Sequence, residues 1–296
     1  MSAGIKKLIH QKAPWIQNHH IRPYVYVRPE NQIQKYGTRH RVDWFDSPIV
    51  FKNPLHLDEL EFAEQIYYLE GSAFGPAGMA MPRWVFYDCA VMPGLCAGFV
   101  YRTSALPENL KKVMRHDPKE EWTPLSLFII IPTMHRGEWV AHNLCSINSI
   151  LLDRKDHFYA LGFLTKAFGL WYANVDQCSG MTQWGGPALK LHSHYGHLEM
   201  VGAYAPVHSH AKTITYRTQV SASSWEKFFT REEDLSFLEA YGVTEDRIDP
   251  RDEKSMIHLQ RRIEKGEGPF FLSAAEISQK QLHEPLNIFK LKENFG

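Results

Sequence analysis

Short apolar runs separated by turn residues dominate the middle of the chain, and their lengths predict strands. Residues 125–131 form an almost unbroken apolar run typical of a buried strand, whereas 213–220 alternate as a half-buried strand does. Met92-Pro93-Gly94 is a turn signal and predicts a hairpin between the runs on either side of it. The other predicted strands are an edge strand at 24–27 and strands at 84–91, 95–102, 138–150, 178–184 and 198–205.

Apolar residues spaced three and four positions apart predict helices at 57–70 and 161–174. In the first of these, we expect a buried stripe made of Leu57, Leu60, Ala63, Ile66 and Tyr67. Further helices are expected at 107–115, within 183–197, and at 224–241 and 254–265. The predicted order is therefore helix, two strands, short helix, two strands, loop, helix, strand, helix and two strands.

Shifts in composition divide the chain into three parts. Residues 1–56 are irregular and aromatic, and they are expected to wrap as an arm around the core. Residues 57–220 carry most of the predicted strands. Residues 221–296 are rich in charged side chains and are expected to form a helical extension. These three parts are the expected domains.

Composition excludes several classes of protein. The 296 residues contain 33 Lys and Arg against 33 Asp and Glu, so the balanced charge does not indicate a nucleic-acid partner. No run approaches the ~20 apolar residues of a membrane span, and no secretory signal is expected. The four cysteines form no CxxC pair and are expected to be reduced core thiols. Together these features predict a cytoplasmic protein.

Residues 183–197, QWGGPALKLHSHYGH, carry the most informative motif and predict a short helix between two strands. The spacing resembles the C-terminal signature of GNAT-type acyltransferases, because Ala188, Leu191 and Gly196 stand at the matching offsets. Other positions depart from that signature: Gly185 replaces an Asn, and histidines replace the Tyr, the Lys and the Phe, at His192, His194 and His197. The order of predicted elements between 57 and 220 is also similar to that family.

This resemblance implies an α/β (α+β) fold with a GNAT-like mixed sheet flanked by helices, here with an N-terminal arm and a helical C-terminal extension. It implies transfer of an acyl group from an acyl thioester, acyl-CoA or an acyl-carrier protein, by direct attack of an amine. The amine would belong to a small molecule or a peptide, and no metal is expected. The oligomeric state is left open.

In that family the fourth strand binds the pantetheine arm, and the following loop and helix bind the pyrophosphate. The matching segments here are 138–150 and the helix from Leu161. The family's glycine-rich pattern is reduced to one small residue, and Phe158 and Tyr159 crowd the loop before the helix. The expected cofactor-binding residues are Asn143, Cys145, Arg154, Lys155, Gly162 and Lys166.

The resemblance also suggests catalytic roles. His192 stands where the family's Tyr protonates the departing sulfur, and Tyr195 is the competing acid. Glu138 or His142 would take the proton of the amine, and both lie on one strand face if alternation holds. Each histidine also has a structural interpretation, as a helix cap for His192 and as a buried, hydrogen-bonded ring for His142.

A second pair of histidines, His208 and His210, is expected beside the acceptor amine. In an extended segment these side chains point to one side, so with His192 they could instead form the zinc site of a hydrolase. A third hypothesis is a catalytically silent GNAT-fold binding protein, which the reduced glycine loop favours. Phosphate-loop, dinucleotide-binding and serine-hydrolase motifs are absent from the sequence.

Overall fold

The computed structural model describes residues 3–31, 47–220, 227–230, 235–281 and 283–292. These residues divide between two compact units, Met1–Val175 and Asp176–Gly296. The division falls inside the predicted 57–220 domain, and the predicted boundaries after residues 56 and 220 stay predictions. Among the described residues, no helix is long and apolar enough to cross a membrane.

The first unit contains a sheet in which strands run in the order β6-β5-β3-β1-β2, with β4 paired to β3. All described pairs are antiparallel except β1 with β2. The strands are β1 Ile21–Tyr26, β2 Val50–Lys52, β3 Leu95–Arg102, β4 Trp122–Pro124, β5 Ser126–Pro132 and β6 Glu138–Ser146. The predicted strand at 24–27 is therefore no edge strand: β1 lies between β3 and β2, so part of the expected arm belongs to the sheet.

Helices accompany this sheet along the first unit. They are α1 Ala3–Lys12, α2 Leu60–Phe74, α3 Arg83–Phe86, α4 Glu108–Lys111 and α5 Leu161–Tyr172. Short 3-10 turns are Pro14–Gln17, Pro29–Asn31, Leu57–Glu59, Gly75–Ala77, Thr103–Ala105, Ile147–Ser149 and Arg154–Asp156. The chain continues from α3 into a π-helical turn, Tyr87–Val91, so the predicted strand at 84–91 and its hairpin are wrong. Phe86, Ala90 and Val91 instead bury against the sheet, and this packing overrides the strand propensity of the aromatic and branched residues.

Helices α2 and α5 cover opposite faces of the sheet. Leu127 and Ile129 pack in one core cluster with α2, whereas Phe128, between them on β5, lies against Gly169 of α5. A β-carbon at Gly169 would lie 2.5 Å from Cδ1 of Phe128, so the glycine permits this close approach. The sheet is thus flanked by helices, as the GNAT resemblance implies.

The stripe that α2 buries differs from the predicted one. Leu57 and Leu60 are 92% and 63% exposed. The buried side chains of α2 are Phe62, Gln65, Ile66, Leu69 and Glu70. Ile66 is buried as predicted, and Ala63 and Tyr67 pack against the same core cluster. The prediction was wrong for Leu57 and Leu60, and it missed Gln65 and Glu70, which interrupt the apolar stripe that faces the core.

The second unit contains a six-stranded antiparallel sheet in the order β10-β12-β11-β8-β9-β7. Its strands are β7 Gln177–Gln183, β8 Leu198–Gly202, β9 Thr213–Gln219, β10 Tyr241–Ile248, β11 Phe270–Leu272 and β12 Leu286–Leu291. Its helices are α6 Pro187–Ser193, α7 Leu235–Ala240, α8 Glu253–Glu264 and α9 Ala274–Gln279. Leu198, Met200, Phe270 and Ile288 form a core with Met256 and Leu259 of α8.

The structure corrects the expectation of a helical extension after residue 220. The helix predicted at 254–265 is present as α8, but three strands, β10, β11 and β12, also lie after residue 220 and continue the sheet from β8. The charged residues of β10, Glu245, Asp246 and Arg247, are consecutive and give no alternating pattern, so the segment resembled a solvated helix in composition. Apart from the predicted strand at 84–91, the predicted order of elements between 57 and 220 is confirmed, and the observed fold is a mixed α/β fold, as the GNAT resemblance implies.

Candidate active site

A β-bulge interrupts the strand that the GNAT resemblance identifies as the fourth. Asn143 of β6 pairs with Ile129, but Ala141 pairs with Ile130, so His142 is an extra residue with no partner on β5. Because paired residues share a face, Asn143 comes to lie on the face of Val140 and therefore of Glu138. The expected simple alternation, with Asn143 on the face opposite Glu138, is thus wrong.

Glu70 of α2 lies against this bulge and was missed by the sequence prediction. It is completely buried, and its carboxylate accepts a hydrogen bond of 2.8 Å from Nδ2 of Asn143. The backbone N–H of Met81 donates to both carboxylate oxygens, at 3.1 and 3.2 Å. Burial raises the pKa of Glu70, and the hydrogen bonds from Met81 and Asn143 oppose that rise.

His142 completes a chain of three side chains. Its Nδ1 lies 3.1 Å from Oδ1 of Asn143, and the ring is exposed. The alternative interpretation of His142 as a buried structural histidine is therefore wrong, because the bulge turns the side chain out of the core. At the bulge, hydrogen bonds thus connect a buried carboxylate, an amide and an exposed imidazole.

Glu138 occupies a different place on the same strand. It begins β6 at the hairpin turn, where its Oε2 accepts from the Thr133 hydroxyl at 3.2 Å. A strand rises ~3.3 Å per residue, so roughly 13 Å separate the α-carbons of Glu138 and His142. The two alternative bases therefore do not converge, and only His142 belongs to the chain that ends at Glu70.

Asn143 and Cys145 turn their side chains toward α2. The thiol of Cys145 is buried, and burial, with Glu70 and Cys96 nearby, raises its pKa well above the ordinary value. Cys145 is thus a protonated core thiol, and the amide of Asn143 is hydrogen-bonded at both ends. Contacts of these two residues with a cofactor, which stay a prediction, would be made by their backbone.

The loop before α5 is tied down by hydrogen bonds. The Asn148 side chain accepts a hydrogen bond from the Phe158 N–H at 2.9 Å and donates one to the Phe158 carbonyl at 2.8 Å. The Trp15 indole donates to the Tyr159 carbonyl at 2.9 Å. Ala160 then adopts a left-handed conformation with φ of 58° at the N-cap. This conformation favours glycine, so the structure makes a turn here without the glycines that the resemblance led us to expect.

The predicted phosphate contacts differ in accessibility. Arg154 and Lys155 are exposed on the 3-10 turn before α5, with Lys155 paired to Asp153 at 2.8 Å. Gly162 lies in the first turn of α5, whose first N–H groups have no partner inside the helix. Lys166, by contrast, is completely buried, which argues against a contact with phosphate from solvent.

The remaining candidates lie in the second unit. His192 is a buried residue in the last turn of α6, with its ring centroid 5.3 Å from that of Tyr216, and Tyr195 is completely buried. Gly196 comes next in the chain. A β-carbon at this position would lie 2.5 Å from the Gln219 carbonyl oxygen and from the Thr218 hydroxyl. That close approach gives a physical reason for the glycine of the motif.

His208 and His210 lie on the turn before β9, with ring centroids 6.0 Å apart. Nδ1 of His208 accepts a hydrogen bond from the backbone N–H of His210 at 3.0 Å. Within the described residues, no group of three or more His, Cys, Asp or Glu side chains is placed to hold a metal ion. Their contact with an acceptor stays a prediction.

Comparisons with known proteins give matches among solved structures, whereas no family model and no curated protein matches the chain. One match is the NatC complex bound to Gag peptide and CoA, with 13% identity over 57% of this chain and 96% of that chain, at a TM-score of 0.37. Another is the ribosomal-protein-S18-alanine N-acetyltransferase from Escherichia coli, with 13% identity, 56% and 91% coverage and a TM-score of 0.36. FeeM, an N-acyl amino acid synthase from uncultured soil microbes, matches with 13% identity, 58% and 88% coverage and a TM-score of 0.34.

All three TM-scores are below 0.5, so the fold is judged from the elements themselves. Between β1 and β9 the chain runs strand, helices, three sheet strands, helix, strand, helix and two strands, with the short parallel edge strand β2, the short helix α4 and the short strand β4 added. This is the GNAT order, and the chain has a divergent GNAT-type fold.

Proposed function

We propose that this protein is an N-acyltransferase that moves an acyl group from an acyl thioester to an amine. The observation that carries the proposal is the hydrogen-bonded chain from Glu70 through Asn143 to His142 at the bulge of β6. An exposed imidazole with one nitrogen held by the Asn143 amide is suited to accept a proton. The amine must lose a proton as it attacks, so a base on this strand fits acyl transfer.

In the proposed reaction, the amine nitrogen forms a bond to the thioester carbonyl carbon, and the carbon–sulfur bond breaks. His142 takes the proton that the nitrogen releases, through Nε2, and the thiolate leaves as CoA or as the thiol of an acyl-carrier protein. His192 and Tyr195 lie in the second unit, and their proposed role as the acid for that thiolate remains a prediction. The acceptor is proposed to be a small molecule or a peptide in the cytoplasm.

The donor would be recognised at the start of α5. The fixed loop of Phe158 and Tyr159 leads into a helix N-terminus, where backbone N–H groups and the helix dipole favour an anion. Arg154 and Lys155 add two exposed cationic side chains just before it. These features support pyrophosphate binding although most of the family's glycines are missing.

The test is ligand-induced stabilisation by acetyl-, octanoyl- and palmitoyl-CoA, with free CoA for comparison. A ligand at 100 times its Kd stabilises by ~2.7 kcal/mol, which shifts Tm by a few degrees. We expect a shift with at least one thioester, reduced in the double variant Arg154→Ala, Lys155→Ala and retained in the control Lys119→Ala, an exposed lysine after α4. The chain length that gives the largest shift identifies the donor class.

Turnover is then measured as free thiol released from that thioester with a panel of small amines and peptides. Amine-dependent thiol release supports the proposal. Binding without release would instead support the silent binding protein, and no shift with any CoA thioester would require acyl-carrier donors to be tested in the same assay. No release with either donor type would refute the proposal.

A further inference from the structure

We infer that Glu70 is a positioning residue: through Asn143 it holds His142 in the tautomer that carries the proton on Nδ1 and leaves Nε2 open. The catalytic meaning of this inference rests on the proposed function, but the tautomer is a property of the protein alone. It assigns a role to a side chain on α2 that touches neither the imidazole nor the expected substrate.

The first step of the argument is the direction of the hydrogen bonds at Glu70. An ionised carboxylate only accepts hydrogen bonds, and this carboxylate faces two donors, the Met81 N–H and the Asn143 amide. The structure places Nδ2 of Asn143 at 2.8 Å from Oε1 of Glu70. This is the orientation that an ionised carboxylate requires, because the amide carbonyl oxygen in that place would bring two acceptors into contact.

The second step carries this orientation to the histidine. With its NH2 group toward Glu70, the Asn143 amide presents its carbonyl oxygen to Nδ1 of His142, at 3.1 Å. A carbonyl oxygen needs a donor, so Nδ1 must carry the proton of the neutral imidazole. Nε2 then holds the lone pair, and within the described part of the chain it has no hydrogen-bond partner.

The third step concerns the cost of placing Glu70 there. A buried carboxylate loses its hydration and needs partners to offset that loss, and an apolar residue at such a position is often as stable or more stable. Glu70 occupies the core stripe of α2 between Ile66 and Ala73, where an apolar side chain would otherwise pack. Its presence at an apolar position fits a role in orienting Asn143.

The experiment is NMR of the full-length protein labelled with 15N histidine, in which long-range proton–nitrogen couplings distinguish the tautomers. The His142 signals are identified by their loss in His142→Ala. We expect neutral His142 to be the Nδ1–H form. In Glu70→Leu and Asn143→Ala it should shift toward the Nε2–H form that unconstrained histidines favour in water.

Glu70→Gln is the matched conservative variant. Both donors reach the same carboxylate oxygen, Oε1, so one amide oxygen there can accept from both, and the Nδ1–H form should persist. If Glu70→Leu does not fold, Asn143→Ala carries the test, because Asn143 is only partly buried. A wild-type Nε2–H form, or an unchanged tautomer in Asn143→Ala, would overturn the inference.

Activity gives a second readout that separates this inference from the proposed function. If the protein is an acyltransferase, Asn143→Ala should lower kcat by roughly 10- to 100-fold with little change in KM, and Glu70→Gln should retain most of kcat. An inactive wild type with the expected tautomers would refute the proposed function alone. An active wild type with kcat unchanged in Asn143→Ala would refute the positioning role.

Discussion

Asn143 pairs with Ile129 across β5 and β6, while the next residue of β5 pairs with Ala141 rather than with His142. This single extra residue has two consequences. It moves the Asn143 side chain to the α2 face, within 2.8 Å of Glu70, and it leaves the His142 ring exposed. A bulge that re-aims side chains is a device often found next to active sites, and here it joins a core carboxylate to a surface imidazole.

Substitution of His142 tests the base directly. In His142→Ala no imidazole remains to accept the amine proton, so we expect kcat for acyl transfer to fall by roughly 10²- to 10⁴-fold, with thioester binding unchanged. Steady-state kinetics with the best donor and amine measure the effect. His135→Ala, which removes an exposed imidazole from the turn before β6, is the control and should keep full activity.

Equal activity in His142→Ala and the control would exclude His142 as the base. Glu138→Gln would then be the next variant to measure, because Glu138 is the other base that the strand offers. Loss of activity in Glu138→Gln alone would move the site to the hairpin end of β6, where Thr133 bonds the carboxylate.

The fit of α5 against the sheet gives a prediction about stability. A β-carbon at Gly169 would lie 2.5 Å from the Phe128 ring and 3.4 Å from the Ala97 β-carbon. Both neighbours are completely buried, so Gly169→Ala should lower the free energy of unfolding by ~1–3 kcal/mol. Denaturant unfolding measures this change in the free energy of unfolding, and the m-value should be the same in both proteins.

Gly71→Ala is the matched control for Gly169→Ala. Gly71 also lies within a helix, α2, but nothing is within 4 Å of the added β-carbon. Alanine has the better helix propensity and restricts the unfolded chain, so we expect stabilisation by ~0.5–1 kcal/mol. The opposite signs of the two substitutions are the test, and a stabilising Gly169→Ala would mean that α5 does not pack on Phe128 as closely as described.

The sequence predicted the strands β3 and β5 to β9 because each has a distinct apolar run bounded by turn residues, whereas β2, β4 and β10 to β12 were not predicted. Residues 125–131 and 213–220 are examples, and both are strands in the structure, shifted by one residue at most. The helix 57–70 was also predicted, since its period is 3.6 whichever face is buried. Such local signals were sufficient for the GNAT-type fold.

The candidate site was only partly predictable. His142 was named from the strand, but a bulge has no signal in a run such as WVAHNLC, because it is set by pairing with a distant strand. Glu70 was missed for a second reason. It lies four residues after Ile66, on the stripe of α2 that is buried. The predicted stripe included Leu57 and Leu60 rather than Phe62 and Leu69. A stripe placed on Phe62 and Leu69 would have identified Glu70 as an acid at a core position.

The second unit contains a histidine that should make its stability depend on pH. His194 follows α6, with its ring centroid 4.8 Å from that of Phe228 in an edge-to-face contact. Burial, and secondarily the charge of Lys190, lowers the pKa of His194 to about 4. In the unfolded chain the pKa of a histidine is near 6.5. The folded protein therefore holds this imidazole neutral at pH values where the unfolded chain binds a proton.

The sign of the effect follows from that difference. Between pH 6.5 and pH 4 the unfolded state binds more protons at His194, so stability falls as the pH is lowered, by up to about 3 kcal/mol. His194→Phe keeps an aromatic ring against Phe228 and removes the titration. We expect its free energy of unfolding, measured by urea denaturation at pH 7 and at pH 4.5, to fall less than that of the wild type. Equal losses in the two proteins would show that His194 is protonated as readily in the folded state as in the unfolded chain, and that its ring is less buried than the structure places it.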